Sequence, residues 1–202
     1  MNLSKYFNQY RSYFGKLSEL QVQGHEQILK AAIDAGLSIP AIAYVLATVF
    51  HETDRTMQPI SEYGKGKGRA YGTWKVNSKG VKYCQTNGKG NVFYTYDEYP
   101  FLYYGMGYVQ LTWYDNYKLL GEILGVDLLG NPELAKDPEI AAKIMIVGMT
   151  RGLFTGRKLG DYFKPQMTDY LHARKIINGM DAAQKIAAHA RKFEKILQVA
   201  MV

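Results

Sequence analysis

The stretch that most constrains this chain runs from Ser38 to Gly72, where an apolar helical pattern meets a glycine-rich breaker and a glutamate stands on each side of the junction. Ser38 occupies a plausible N-cap position, and Pro40 suits a first helical turn, where N–H groups lack intrahelical partners and proline has none to offer. Apolar residues at Ile42, Val45, Leu46, Val49 and Phe50 follow the three-and-four spacing of a buried face. Glu52 falls on the flank of that face, near the helix end. A carboxylate partly removed from water is easier to protonate, which suits a group that must donate a proton near neutral pH. After Thr53 the periodicity stops, and Pro59 with Gly64, Gly66 and Gly68 forbids a long helix. Glu62 therefore belongs to a loop or a strand start. Two carboxylates in unlike surroundings, one half-buried on a helix and one on a solvated basic loop, are the pair that glycoside hydrolysis requires. Spacing alone favours a plainer reading, in which Glu52 makes a helix-end salt bridge with Arg55 or Arg69 and Glu62 lies on the surface.

Two other chemistries fail on detail. His51-Glu52 begins like a zinc-protease motif, but Arg55 stands where the second histidine belongs, so no metal is expected. The Gly64 to Gly68 run lacks the spacing of a phosphate loop, and no Gly-Lys-Ser/Thr follows it.

A chain of 202 residues that is 47% hydrophobic can bury a sizeable core and is not disordered. Its longest apolar run, Ala41 to Phe50, is too short to span a bilayer. The opening MNLSKYFNQYRSYF has no apolar core or small-residue cleavage site, so no signal peptide is expected. A lone cysteine, Cys84, excludes an internal disulfide and reads as packing. The net charge of +7 suggests an anionic partner, either nucleic acid, a membrane face or a cell-wall polymer. The basic residues look dispersed and no recognised motif accompanies them, which argues against nucleic acid.

Along the chain, Met1 to Gly15 reads as a short helix or lead-in segment. A helix is expected from Leu17 to Gly36, with Ser18 and Gln21 as a capping box, Val22, Ile28, Leu29 and Ile33 in the core, and His25 on the surface. From Tyr71 to Tyr99, alternating aromatic and Val residues between Gly/Asn turns predict short hairpins. Most of these aromatics should close a small sheet, with Trp74 the candidate to stack on a sugar ring. Gly105 and Gly107 allow a close approach of backbone, and Thr112 with Asp115 predicts a capping box for a helix through Leu124. Thr112 has a second reading, as a hydroxyl that orients a water. Asp137 and Pro138 open a helix through Arg151, with Ile140, Ile144 and Val147 inward. Asp181 with Gln184 opens the last helix, whose Ile186, Ala190, Phe193, Leu197 and Ala200 form an apolar stripe beside Lys185, Arg191, Lys192 and Lys195. That helix is expected to pack on the domain, and its basic face offers an alternative contact with an anionic outer membrane surface.

One ordered string carries a family resemblance. His51-Glu52-Thr53, Pro59, Glu62, Gly64-Lys-Gly-Lys-Gly68 and Tyr71-Gly72 are followed by Gly105-x-Gly-Tyr-Val-Gln-Leu-Thr112 and Asn116-Tyr117. Asn131-Pro-Glu-Leu134, Asp137-Pro138 and Arg174-Lys-Ile-Ile-Asn-Gly179 continue it. The whole resembles glycoside hydrolase family 19, which contains plant-type chitinases and phage or bacterial cell-wall lysozymes. The resemblance implies that Glu52 is the general acid, that Glu62 is the general base, and that Thr112 helps to hold the attacking water. It places Gln110, Asn116, Tyr117 and Asn178 where family members bind the sugar, with Arg174 in the matching segment, and it implies an inverting reaction without cofactor. Asp54-Arg55 after Thr53, Met106, and Trp113-Tyr114 depart from the plant-type pattern and resemble the phage-type branch, pointing away from chitin as natural substrate.

Taken together, these readings predict a mainly α, lysozyme-like two-lobed α+β fold with a small β-hairpin element. Residues 1–202 are expected to form a single catalytic domain with no separate wall-binding domain and a cleft lined by Glu52, Glu62 and Thr112. The expected activity is that of a phage endolysin with lysozyme (muramidase) action, a peptidoglycan hydrolase cleaving β-1,4 bonds. Its expected partner is bacterial peptidoglycan, its expected state a monomer, and its expected place the host cytoplasm until release onto the wall at lysis. A chitinase, or a non-catalytic basic wall-binding module, is the alternative.

Overall fold

The protein, described here for residues 1–201 from a computed structural model, has seven α-helices and seven short strands among those residues. The helices are α1 (Leu3–Phe14), α2 (Glu19–Asp34), α3 (Ile39–Glu52), α4 (Tyr114–Leu124), α5 (Pro138–Arg151), α6 (Leu159–Tyr162) and α7 (Ala183–Ala200). The strands are β1 (Ile60–Ser61), β2 (Lys75–Val76), β3 (Lys82–Gln85), β4 (Phe93–Thr95), β5 (Met106–Gly107), β6 (Phe163–Lys164) and β7 (Met167–Thr168). The chain divides into two compact units, residues 1–58 with 145–201, and residues 59–144 inserted between them. Helix α5 carries the chain out of the inserted unit.

The first unit is helical and is built around α3. Every residue from Ala41 to Phe50 is buried, so α3 is covered on all sides and not along one face as its spacing suggested. A helix that is apolar all round belongs in a core. Helix α7 packs on α3, with α2 against α3 and α1 against α7. The α7 stripe of Ile186, Ala190, Phe193, Leu197 and Ala200 is buried as its periodicity predicts. Ile28 and Leu29 of α2 are buried too, but Ile33 is exposed and Val22 only half-buried, because α2 lies on the rim of this core.

Capping follows the sequence in part. Ser18 and Gln21 form the reciprocal box at α2, and the Asp137 carboxylate accepts the Glu139 and Ile140 N–H groups at α5, both at 3.0 Å. The other caps differ. Ser38 precedes α3 without a side-chain bond. Trp113, at φ 77°, occupies the N-cap of α4, where the box expected of Thr112 and Asp115 does not form. Ala182, at φ 55°, precedes α7 in place of an Asp181 cap.

His25 is the clearest correction. It was expected on the surface, yet it is fully buried, within aromatic contact of Tyr6, Phe7, Tyr10 and Phe193. Its Nδ1 shares a 2.9 Å hydrogen bond with the Tyr6 hydroxyl. Its Nε2 is buried with no hydrogen-bond partner among the described residues, so protonation would place an unpaired N–H in an apolar cage. Burial accordingly holds the imidazole down at about 3, from an ordinary 6.5. Below 6.5 the unfolded chain binds a proton that the folded chain refuses until about 3, so this contribution is fully present above pH 6.5 and is lost as pH falls through that window. At pH 4.5 the loss amounts to roughly 3 kcal/mol relative to pH 7. Urea unfolding at the two pH values measures it. In His25→Phe the pH dependence should flatten, and an unchanged slope would assign the acid sensitivity elsewhere.

The inserted unit is smaller in its elements. Strands β2, β3 and β4 form an antiparallel meander with Lys75 opposite Tyr83 and Cys84 opposite Tyr94, so the hairpins expected between Tyr71 and Tyr99 are present. Cys84 is buried and its thiol donates to the Ala70 carbonyl, a packing role. Strand β1 pairs with β5, Ile60 opposite Gly107 and Ser61 opposite Met106. That short ladder sets the geometry around Glu62.

Candidate active site

Glu52 is the last residue of α3, and its side chain is 17% exposed. The helix-end salt bridge that spacing admitted does form, but with Arg174, at 2.5 Å from Nη1 to Glu52 Oε1. Arg55 is engaged otherwise, its guanidinium over the Phe50 ring. Arg174 lies in a 3-10 turn, His172–Ile176, is itself buried, and donates a second bond from Nε to the Asp181 carbonyl. The guanidinium is thus fixed at two points and presents one edge to the carboxylate, a geometry that lysine could not reproduce. The turn after α3 is held by Thr53, whose buried hydroxyl donates to the Val49 carbonyl and accepts the Met57 N–H. Burial, ahead of the nearby charges, lowers the pKa of the adjacent His51, which keeps it neutral near pH 7.

Glu62 follows β1 directly. Its N–H donates to the Gly105 carbonyl at 2.7 Å, and the Gly105 N–H donates back to Glu62 Oε2 at 3.1 Å, so the β1–β5 ladder holds both backbone and carboxylate. The other oxygen, Oε1, accepts the Tyr71 hydroxyl at 2.9 Å. Burial first, and then the bond to Glu62, push the Tyr71 hydroxyl up to about 12, so it remains a donor at any working pH. Tyr71 reaches Glu62 because the chain folds back closely at Gly66, at φ 70°, where a Cβ would lie 2.9 Å from the Tyr71 ring. Tyr71 in turn meets the edge of Trp113, with centroids 5.1 Å apart at 78°.

Gly105 is the close approach that its sequence context suggested. A Cβ there would stand 2.8 Å from Gln110 Oε1 and 3.3 Å from the Glu62 Cβ. Gly105→Ala should therefore displace the Glu62 carboxylate and lower activity by about tenfold or more, the scale of loss that small misplacements at a reacting centre produce. A melting temperature within a few degrees of wild type, measured beside the rate, separates this from simple unfolding.

Around Glu62 the inserted unit gathers three of the other sequence candidates. Gln110, at φ 54°, donates from Nε2 to the Ile60 and Gly107 carbonyls. The Thr112 hydroxyl donates to the Gln110 carbonyl at 2.8 Å, leaving its lone pairs free to accept from a water. Asn116 donates to the Thr112 carbonyl and so braces that residue. Tyr117 does not belong with them as a sugar contact. It is fully buried and its hydroxyl is committed to the Tyr104 carbonyl. Trp74, the stacking candidate, packs edge-on against Tyr94 and Tyr96 within the meander, which gives it the role first assigned to its neighbours. Asn178 is exposed in the first unit, its Oδ1 accepting the Gly179 N–H. Tyr71, expected only to close a small sheet, and Trp113, named only as a departure from the plant-type pattern, support Glu62 in the structure. Among the described residues no group of three His, Cys, Asp or Glu side chains could hold a metal.

The family model for chitinase class I, glycoside hydrolase family 19, matches residues 28–152, more than half of the chain, and the chain belongs to that family. It is 56% identical over 45 residues to basic endochitinase B of Arabidopsis thaliana, a match covering 22% of this chain and 13% of that protein. Chitinase 11 of rice is 49% identical over 45 residues, covering 22% and 18%. The matched segments thus span less than a fifth of these curated relatives. Among solved structures, chitinase C of Streptomyces griseus aligns over 97% of this chain and 76% of its own at a TM-score of 0.55 and 23% identity. A class IV chitinase from Zea mays aligns over 97% and 90% at 0.52 and 21%. At that identity the likeness establishes the fold, which is the lysozyme-like α+β fold of this family.

Proposed function

We propose that this chain is a glycoside hydrolase that cuts the β-1,4 bonds of bacterial peptidoglycan, in the manner of a phage endolysin, with Glu52 as general acid and Glu62 as general base. The observation that carries this reading is the way the two carboxylates are held. Glu52 is sheltered at the end of a core helix beside one guanidinium, whereas Glu62 is fixed by a hydroxyl and a backbone N–H. These are unlike environments, as two carboxyl groups with opposite proton duties require.

In the reaction Glu52 gives its proton to the glycosidic oxygen as the bond from that oxygen to the anomeric carbon breaks. Arg174 favours this step because Glu52 becomes an anion as it proceeds. Water attacks the anomeric carbon from the opposite face, losing a proton to Glu62 while its other hydrogen bonds to Thr112 Oγ1. That arrangement leaves a lone pair aimed at carbon. Proton exchange with solvent then resets both glutamates. A water placed between base and sugar implies inversion. Proton NMR during turnover of a neutral N-acetylglucosamine oligomer should therefore show the α-anomer first, and initial β-anomer would sink the assignment of Glu62 as base.

Peptidoglycan is preferred to chitin because its peptide stems carry carboxylates, which complement a net charge of +7, whereas chitin is neutral. A chitinase is the second reading, favoured by the endochitinase relatives. Relative rates on sacculi and on chitin oligomers separate the two.

A further inference from the structure

The basic residues are less dispersed than expected, because one segment carries cations with no acidic residue among them. Between Glu62 and Asp97 the sequence has seven Lys or Arg and no Asp or Glu, while the chain as a whole has 25 cations and 18 anions. Outside that segment, positive and negative residues therefore balance. All seven cations, from Lys65 to Lys89, are exposed, and none enters a salt bridge among the described residues. Elsewhere on the chain the lysines of α2 and α5 have acidic partners one turn away. Four of the seven, Lys75, Lys79, Lys82 and Lys89, lie on the β2–β3–β4 meander and its turns.

The same meander exposes apolar surface. Val76, Val92 and Phe93 are 61%, 61% and 42% exposed. Phe93 meets Tyr83 edge-on with centroids 5.0 Å apart, and the Lys82 ammonium lies 5.1 Å from the centre of the exposed Tyr96 ring. Exposed apolar side chains interleaved with unpaired cations on a small sheet describe a surface that binds something both anionic and partly apolar.

We propose that this meander is a docking surface for the carboxylate-bearing peptide stems of peptidoglycan, distinct from the residues assigned to hydrolysis. The proposal rests on the wall-hydrolase reading and deepens it, since a neutral polymer such as chitin offers these lysines nothing. Peptide stems supply what the surface lacks, carboxylates for Lys75, Lys79, Lys82 and Lys89 and aliphatic side chains for Val76, Val92 and Phe93. Docking there retains the enzyme on the polymer between cleavage events.

The test is co-sedimentation of the full chain with purified sacculi, carried out in a Glu52→Gln background so that retention is read without turnover. K75E/K79E/K82E/K89E should lower the bound fraction by about tenfold or more at low salt, as loss of a focused field does. Amidation of the sacculus carboxylates should do the same to the unreversed protein, and rising salt should weaken its binding. With Glu52 restored, the four-site variant should hydrolyse a neutral N-acetylglucosamine oligomer at the unreversed rate, showing an intact fold. If charge reversal prevents folding, Lys→Gln at the same four positions carries the test. Equal retention of variant and parent, or of parent on amidated and native sacculi, would overturn the proposal. Tighter retention by phosphatidylglycerol vesicles or by duplex DNA would also overturn it, because the partner would then be a phosphate polymer or membrane. Because retention needs no cleavage, failure of the wall-hydrolase reading would show as sacculi left uncut by the native protein and not in this sedimentation.

Discussion

Replacing Glu52 by Gln should lower the rate of the proposed wall hydrolysis by about 10²- to 10⁴-fold, the span by which a positioned acid assists proton transfer. Glutamine keeps the shape of the side chain, and its carbonyl can still accept from Arg174 Nη1, so the end of α3 and its turn should stay in place. What it lacks is the proton for the leaving oxygen. The change should therefore appear in the turnover rate and hardly at all in binding to sacculi, while the melting temperature should fall because the buried Arg174 guanidinium loses its anionic partner. Turbidity clearance, sedimentation and thermal unfolding of one preparation report all three. Undiminished clearance would remove Glu52 from the reaction.

Replacing Arg174 should affect stability and activity together. Arg174→Met leaves the sheltered Glu52 carboxylate without its ion-pair partner and the Asp181 carbonyl without its Nε donor. Breaking a fully buried pair costs about 3–5 kcal/mol, and because the Glu52 side chain keeps some exposure the expectation here is roughly 2–4 kcal/mol. Arg174→Lys should recover little, since one ammonium cannot serve both acceptors in that geometry. A double-mutant cycle with Glu52→Gln isolates the pair, because the penalty of Arg174→Met should shrink once the carboxylate is gone. An equal penalty in both backgrounds would place the effect in the 3-10 turn itself.

Much of this was legible because it is local. The α7 stripe, the Ser18 box and the Asp137 cap depend on residues three or four apart, and each forms as its spacing predicts. The helical run of α3 was legible too, although spacing could not say that neighbours would cover it all round. What was missed is long in sequence and short in space. Arg174 is 122 residues from Glu52, and His25 is buried by an aromatic helix whose Tyr6 lies 19 residues away. No local pattern reports either contact.

Three of the residues that depart from the plant-type pattern share an unusual backbone conformation. Asp54, Arg55 and Trp113 adopt φ of 45°, 69° and 77°. Those are left-handed values that glycine reaches freely and that cost other residues about 1 kcal/mol or more each. Trp113 illustrates the consequence, because at φ 77° it both precedes α4 and places its ring against Tyr71, the donor to Glu62. The capping box expected of Thr112 failed for the same reason. Trp113 takes the N-cap position, and the Thr112 hydroxyl turns instead to the Gln110 carbonyl beside Glu62.

The central claim is hydrolysis of peptidoglycan by a pair of glutamates, and mass spectrometry of fragments released from purified Gram-negative sacculi tests it most directly. Native protein should release soluble fragments whose new reducing ends are hydrated N-acetylmuramic acid, and Glu52→Gln should release almost none. Release of nothing by the native protein while chitin oligomers are cut, or release of ends lacking the added water, would contradict it.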